Sequence, residues 1–314
     1  MQYTVLNIEA INNLARQYDL GEIISFKILS GGSENTNYLI ASNIEKYVLT
    51  ICEQKSTTEA INLSMLLEHL ATNNFSTSKI IRNKKNELIS TYNDKPVILK
   101  SFLEGKTMDN LPNHLIELIG IQMGKLHKIN EPDYLPKKLN YGIEQFSDVA
   151  IYAENSSFHN WLKKIEDQIK SYFSQPIPQA LIHSDIFYSN VIIDDDENNI
   201  TIMDFEEATY YYRIFDIGMT IVGICCEGEL VNLEKVSSLL KGYVQEIELT
   251  DLEKNALQVF TIYAAASMSF WRHRNFNYTN PTPGMENHYL ALKNIADCVK
   301  ELPEDCFKKI LRLY

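Results

Sequence analysis

The sequence predicts an α+β fold in two unequal parts: a small antiparallel β-rich lobe over residues 1–103 and a larger helical lobe over residues 104–314. Three observations carry this. Before Gly105, short apolar runs are broken by Gly, Asn or Ser at strand-like intervals. After Gly105, apolar residues recur at helical spacing. The one strong β signal in the second part is VIIDDDENNITIMD, residues 191–204, two apolar runs around a polar turn.

Ile8, Ile11, Leu14 and Ala15 recur as one face of a first helix. ISFKILS, TNYLIA and KYVLTIC follow as three short strands. TEAINLSMLLEHLATNN reads as a helix with Ile61, Met65, Leu66 and Leu70 on one face. SKIIRN, ELIST and KPVILKSFLEG are expected to complete the sheet, with a turn at 93–95. Lys100 to Lys106 form the expected hinge. Helices are expected near 114–129, 157–173 and 252–271, and residues 131–156 carry the weakest pattern.

A chain of 314 residues that is 45% hydrophobic and 22% charged supplies a sizeable core. Its net charge of −12 argues against a broadly basic nucleic-acid surface, while leaving room for a local basic pocket. The five cysteines are odd in number and form no C-x-x-C pair, which points to reduced core thiols. The N-terminus lacks a basic segment followed by an apolar one. The longest apolar run, Ile217 to Cys226, is about half of the ~20 residues that span a bilayer. A cytoplasmic protein without membrane or nucleic-acid partners is expected. No feature sets its oligomeric state.

Residues 181–204, LIHSDIFYSNVIIDDDENNITIMD, concentrate the chemistry. Antiparallel pairing of VIID (191–194) with ITIMD (200–204) brings Asn190, before the first strand, beside Asp204, which ends the second. His183 and Asp185 lie on the loop leading in. An Asp and an Asn offering oxygens to one point suit a hard cation such as Mg²⁺, which fills its shell with phosphate and water. Asp185 remains to face a hydroxyl, the division of labour that phosphoryl transfer requires. Each residue alone also suits a turn or a cap.

HSDIFYSN and IMDFE resemble the catalytic loop and metal-binding segment of the aminoglycoside phosphotransferase and choline kinase superfamily, kinases of small molecules with a protein-kinase-like fold. The resemblance spans nearly the whole chain. It implies ATP and Mg²⁺ as cofactors and transfer of the γ-phosphate to a small-molecule alcohol. Asp185 would be the catalytic base or hydroxyl-orienting group, with His183 bracing the loop rather than moving a proton. Asn190 and Asp204 would be the metal ligands, and Asp216 in RIFDIG the acid that braces the loop. LSGGSENTNYLI resembles the nucleotide loop and gives Gly31, Gly32, Ser33 and Asn35 as nucleotide-binding candidates. KSFLEG resembles the hinge that meets adenine, through Ser101, Phe102 and Leu103. His127, in the Leu-His that ends a superfamily helix, is expected to be packed.

The third strand holds Thr50 where kinases of this kind carry a phosphate-gripping lysine, so that cation is unassigned; Lys46 and Lys55 are nearby. Glu59 either pairs with such a lysine or is a first-turn helix acid. SENTNYLI, YVLT, FLEG, LIHSDIFYSNV and FW-R in order resemble the homoserine kinase type II branch. Glu206 is a candidate for a substrate amine, with Glu207 read as solvated. Arg272 and Arg274 are candidates for a carboxylate clamp. The branch has aromatic and small residues where this chain has Glu206 and Glu207. Choline, methylthioribose or aminoglycoside kinases therefore stay open, as does a nucleotide-binding pseudokinase.

Overall fold

The computed structural model describes residues 4–29 and 35–314, in two compact units, Met1–Glu104 and Gly105–Tyr314. The proposed nucleotide-loop residues Gly31, Gly32 and Ser33 lie outside the described residues.

In the first unit α1 (Ile8–Ala15) precedes β1 (Ile23–Leu29), β2 (Asn35–Ser42) and β3 (Lys46–Cys52). Then come α2 (Thr57–Thr72), β4 (Ser90–Tyr92) and β5 (Lys95–Ser101). The strands form one antiparallel sheet in the order β1-β2-β3-β5-β4. Alternation along the strands puts Tyr38, Ile40, Leu49, Ile51, Val97 and Leu99 on one face, where they pack with Ile11, Leu14 and Tyr18 around α1. The β4–β5 hairpin turns through Asn93 (φ 47°) and Asp94 (φ 61°), residue types that tolerate left-handed backbone and give the primed turn that matches strand twist.

SKIIRN is not a strand of its own. Only a bridge of Ile80 to Lys100 forms, because β4 already occupies the start of that edge of β5. On α2 the buried face is Ala60, Leu63, Leu66, Leu67 and Leu70, and Met65 is exposed. Leu63 and Leu67 shift the apolar stripe about a third of a turn from the expected one.

The second unit begins with α3 (Asn113–Leu126). Residues 131–156, weakly patterned, hold a 3₁₀ turn at Ile143–Asp148 and the short α4 (Val149–Ala153). Next come α5 (Ser157–Phe173), β6 (Gln179–Ile182), β7 (Val191–Ile193), β8 (Ile200–Ile202) and β9 (Thr209–Tyr212). The rest comprises α6 (Arg213–Ile224), the short β10 (Cys226–Glu227) and β11 (Leu230–Val231), α7 (Leu233–Val244) and α8 (Asp251–Arg274). A π-helical turn at Asn275–Thr279, α9 (Leu290–Glu301) and α10 (Cys306–Leu311) complete it.

α3 and α7 approach closely because glycines face each other. A Cβ on Gly242 would stand 1.9 Å from the carbonyl of Glu117, and one on Gly120 2.1 Å from that of Leu239. This contact seats His127, at the end of α3, against Tyr243 of α7. Arg213 at the start of α6 forms a two-pronged pair with the buried Glu253, which also closes the capping box of α8. No described helix is long and apolar enough to cross a membrane, and no disulfide links the five cysteines.

Candidate active site

β7 and β8 pair Val191 with Ile202 and Ile193 with Ile200. Met203 N–H donates to Asn190 O at 2.9 Å, so the hairpin closes with Asn190 one residue from Asp204 across the ladder. The β6–β9 ladder lies alongside in sequence, and the loop from Ile182 to Asn190 leaves it.

That loop is anchored by one carboxylate. Asp216, wholly buried in the first turn of α6, accepts from the backbone N–H of His183 (3.0 Å) and of Ser184 (2.6 Å). His127 Nε2 donates to the same carboxylate at 2.9 Å, and its Nδ1 meets Tyr243 Oη at 2.9 Å. Burial alone would raise the pKa of Asp216. The hydrogen bond and charge of His127, then His183, outweigh it and hold the carboxyl below its usual range. His127 is thus packed, as expected, and is the partner that keeps the hub ionised.

His183 is enclosed. Its Nε2 faces the carbonyl of Met203 at 2.9 Å, and its Nδ1 accepts from Asp185 N–H at 3.2 Å. A carbonyl on one side and an N–H on the other fix a neutral, Nε2-protonated ring. Burial moves its pKa downward in the same sense, against the opposing charge of Asp216. Both nitrogens are occupied by backbone, which suits a brace.

Two non-glycine residues hold left-handed backbone here, Ser184 (φ 66°) and Asp204 (φ 68°). The first is fastened by Asp216, by Tyr141 Oη, which donates to its carbonyl at 2.8 Å, and by its own Oγ, which donates to Glu207 O at 2.7 Å. Strain of this kind persists where surroundings over-determine it. It turns the chain so that Asp185 leaves the hub.

Asp185 is half-buried and its surroundings are acidic. Burial first, then the charges of Asp204 and Glu207, push its carboxyl up to about 8, against Asn190 and Arg272, which act downward. Asn190 Nδ2 donates to Asp185 O at 2.8 Å and lies 3.1 Å from Asp185 Oδ2. A backbone carbonyl can only accept, so this contact fixes which end of the amide is nitrogen. Asn190 Oδ1 is left for another partner. Asp204 is exposed at the end of the hairpin. One amide oxygen and one carboxylate, with Asp185 adjacent, form an oxygen donor set that fits a hard divalent cation sharing its shell with phosphate. Among the described residues, no group of three or more His, Cys, Asp or Glu side chains forms a protein-only metal cage.

The two candidate arginines differ. Arg272 is half-buried, makes no ion pair among the described residues, and lies within electrostatic reach of Asp185 and Tyr188. Arg274 is engaged: Nη2 donates to Asn140 O at 3.3 Å, Nη1 pairs with Asp148 at 3.6 Å, and the group lies over Phe270. Glu206 and Glu207 share the 3₁₀ turn after Asp204. Glu207 Oε2 accepts from Asn140 Nδ2 at 3.2 Å, and its charge reaches Asp185 and Tyr141. Sequence reasoning missed Tyr141 and preferred Glu206. An aromatic in the weakly patterned 131–156 region gave no signal.

In the first unit Asn35 opens β2. Ser101 N–H donates to Lys79 O at 2.8 Å, and Phe102 N–H to Lys46 O at 3.1 Å. Of the Ser101, Phe102 and Leu103 N–H groups, that of Leu103 alone donates to no described residue. Glu59 accepts from Ser56 N–H and Oγ in the capping box of α2, the helix-acid alternative.

The two-unit α+β architecture and the braced acidic loop define a phosphotransferase of protein-kinase-like fold. A family model described as the phosphotransferase enzyme family matches residues 25–243, and the chain belongs to that family. A homoserine kinase of Zymomonas mobilis subsp. mobilis is 27% identical to it, over 99% of this chain and 96% of the relative. An amicoumacin kinase solved in complex with AMP-PNP and Ca²⁺ superposes with a TM-score of 0.73 at 18% identity, covering 93% of this chain and 94% of that one. A microcompartment-associated aminopropanol kinase also superposes with a TM-score of 0.73, at 15% identity, covering 97% of this chain and 99% of its own.

Proposed function

We propose that this enzyme is an ATP- and Mg²⁺-dependent small-molecule kinase that transfers the γ-phosphate to the hydroxyl of an amino acid alcohol, in the manner of a homoserine kinase. The reading rests on Asp185, held off the Asp216 hub beside Asn190 and Asp204 and within reach of Arg272. The first unit is the nucleotide-binding part, with Gly31, Gly32, Ser33 and Asn35 as phosphate-binding candidates and Phe102–Leu103 as candidates for the base. The second unit is the catalytic and acceptor-binding part. Full-length likeness to a protein named homoserine kinase supports the acceptor.

Asp185 orients the acceptor hydroxyl and takes its proton as the new O–P bond forms and the bond from the γ-phosphorus to the β,γ-bridging oxygen breaks, releasing ADP. His183, Ser184 and Asp216 hold that carboxylate in place and do not touch the acceptor. Asn190 Oδ1 and Asp204 would hold the cation, which when bound neutralises charge on the phosphates. Arg272 suits the acceptor's carboxylate. Arg274 already pairs with Asp148 and supports the same helix end. Glu207, near Asp185, suits the acceptor's ammonium, with Glu206 as its neighbour on the turn.

A second reading, an aminoalcohol lacking a carboxylate, is favoured by Glu206 and Glu207 following the metal Asp. Mg²⁺-dependent ADP release with homoserine, choline, ethanolamine, aminopropanol, methylthioribose and aminoglycosides separates the two. Homoserine is expected to stimulate most. Equal stimulation by aminopropanol would remove the role given to Arg272, and ATP binding without turnover on any acceptor would leave a pseudokinase.

A further inference from the structure

Asp185 takes its direction from Ser184, the residue before it, whose left-handed backbone (φ 66°) turns the chain away from the hub. Asp216 holds Ser184 by its N–H. The carbonyl and the hydroxyl of Ser184 have other partners, and these lead to residues 140–141 and to Glu207.

Two hydroxyls with one proton each divide the work. Tyr141 Oη donates to Ser184 O at 2.8 Å and lies 3.1 Å from Ser184 Oγ. Ser184 Oγ donates to the carbonyl of Glu207 at 2.7 Å. Asn140, directly before Tyr141, donates from Nδ2 to Glu207 Oε2 at 3.2 Å. Tyr141, Ser184, Glu207 and Asn140 therefore close a ring, completed by the 140–141 peptide. At one point the ring holds the residue before Asp185. At another it holds both the backbone and the carboxylate of Glu207. Tyr141 and Ser184 are buried, so water does not compete for their bonds. Burial, then the charges of Glu207 and Asp185, keep the Tyr141 phenol well above its usual range, so it stays a donor.

The strap carrying Tyr141 is itself fixed on regular elements. Thr209 Oγ1 and the Tyr210 N–H, both of β9, donate to Pro136 O at 2.7 Å. Tyr263 Oη of α8 accepts from Ile143 N–H at 3.0 Å, and Arg274 Nη2 of the same helix donates to Asn140 O at 3.3 Å. Tyr141 thus refers the catalytic loop to β9 and α8, elements that the Asp216 hub does not reach.

We propose that Tyr141 is a positioning residue for phosphoryl transfer: acting through Ser184, its hydroxyl holds Asp185 in register with Glu207, so that the acceptor's hydroxyl and ammonium are placed together. This rests on reading Asp185 as the base and Glu207 as the ammonium site. The buried phenol acts through Ser184 and not on the acceptor itself. Misplacing a reacting group by about 1 Å costs on the order of 10²-fold in rate, so a register of this kind is read in kcat.

The test is ADP release by the full chain with ATP, Mg²⁺ and homoserine, or aminopropanol where that stimulates more. The variants are Tyr141→Phe, Ser184→Gly and the two combined. Phe keeps the ring and loses the hydroxyl. Gly keeps the left-handed backbone and its peptide groups and loses Oγ. Tyr18→Phe removes another buried hydroxyl, which donates to Ser90 Oγ at 2.9 Å in the first unit, and serves as the control for stability alone. Thermal midpoint and calorimetric ATP affinity are measured for each. Tyr141→Phe is expected to lower kcat by about tenfold or more, with acceptor KM and ATP affinity within about threefold of wild type, because Asn140 still holds the Glu207 carboxylate. Ser184→Gly is expected to match it, and the double variant to fall within about threefold of the lower single one, since either change opens the same ring. Wild-type kcat in Tyr141→Phe overturns the proposal, whatever its midpoint. So does a raised acceptor KM at unchanged kcat, which would place Tyr141 in binding alone. So does a kcat loss equalled by Tyr18→Phe, which would make it an effect of stability, or a double variant whose losses multiply, which would make the two links independent. A wild-type chain that binds ATP and releases no ADP with either acceptor would remove the catalytic reading of Asp185, and this proposal with it.

Discussion

Asp216 and Asp185 sit on either side of one loop and are held in opposite ways. Asp216 is wholly buried and accepts from two backbone N–H groups and an imidazole, so its charge is more than compensated. Asp185 is half-buried, faces two other acids, and meets only one amide donor closely. Burial raises the pKa of both, and donors decide which stays down. A carboxylate with its full set of donors holds structure. One short of donors waits for a proton, a cation or a substrate hydroxyl.

The largest expected effect tests the waiting half. Asp185→Asn should cut turnover by on the order of 10²–10⁴-fold, measured as acceptor-stimulated ADP release, while ATP binding persists. The same variant should unfold at equal or higher temperature, because it removes a half-buried ionisable acid whose charged form the neighbouring acids disfavour. Turnover near wild type would break the comparison.

Asp216→Ala should do the reverse and lower stability by about 3–5 kcal/mol in urea denaturation, since it strands buried donors around His183, Ser184 and His127. A loss below about 1 kcal/mol would mean the loop holds its shape without the hub.

Glu53, in the first unit, is a third case. Burial pushes its pKa up, but hydrogen bonds from Lys95, Thr36 and Thr4 bring it down to about 2. Its folded pKa lies below the ordinary 4.5, so its stabilisation is present in full above pH 4.5 and disappears as pH falls toward 2. Glu53→Gln should cost about 2 kcal/mol at neutral pH, allowing for the partly exposed Lys95, and flatten the stability profile between pH 4.5 and 2. A profile that keeps its wild-type slope there would assign the acid sensitivity to other groups.

The smallest effect separates the two acids of the 3₁₀ turn. Glu207→Gln should raise the KM of an ammonium-bearing acceptor about tenfold, and Glu206→Gln less than about twofold, with little change in kcat for either. The opposite order would return the amine to Glu206.

Much of this was legible from pattern. Strand periods located β1–β3 and β5, and helical periods located α3, α5 and most of α8. The hairpin was visible because VII and ITI flank the six polar residues 194–199. The face of α2 was misjudged, since Ile61, Leu63, Met65, Leu66 and Leu67 offer two overlapping stripes that only the sheet beneath chooses between. α6 shows in the sequence as the apolar run from Ile217 to Cys226, but it is apolar almost all round and so has no stripe to give its helical period. In the site, local residues were readable and their distant partners were not. Nothing near Asp216 in sequence announces His127, and nothing near Ser184 announces Tyr141.

That distance has a kinetic consequence. The Asp216 bonds span 32 to 89 residues, and the onward link from His127 to Tyr243 spans 116. Such loops close late, because their entropy must be overcome before the contacts repay it. Helices of the second unit should therefore form well before the loop carrying Asp185 is set. During refolding, catalytic activity should return with the final tertiary signal and lag behind the far-ultraviolet helical signal.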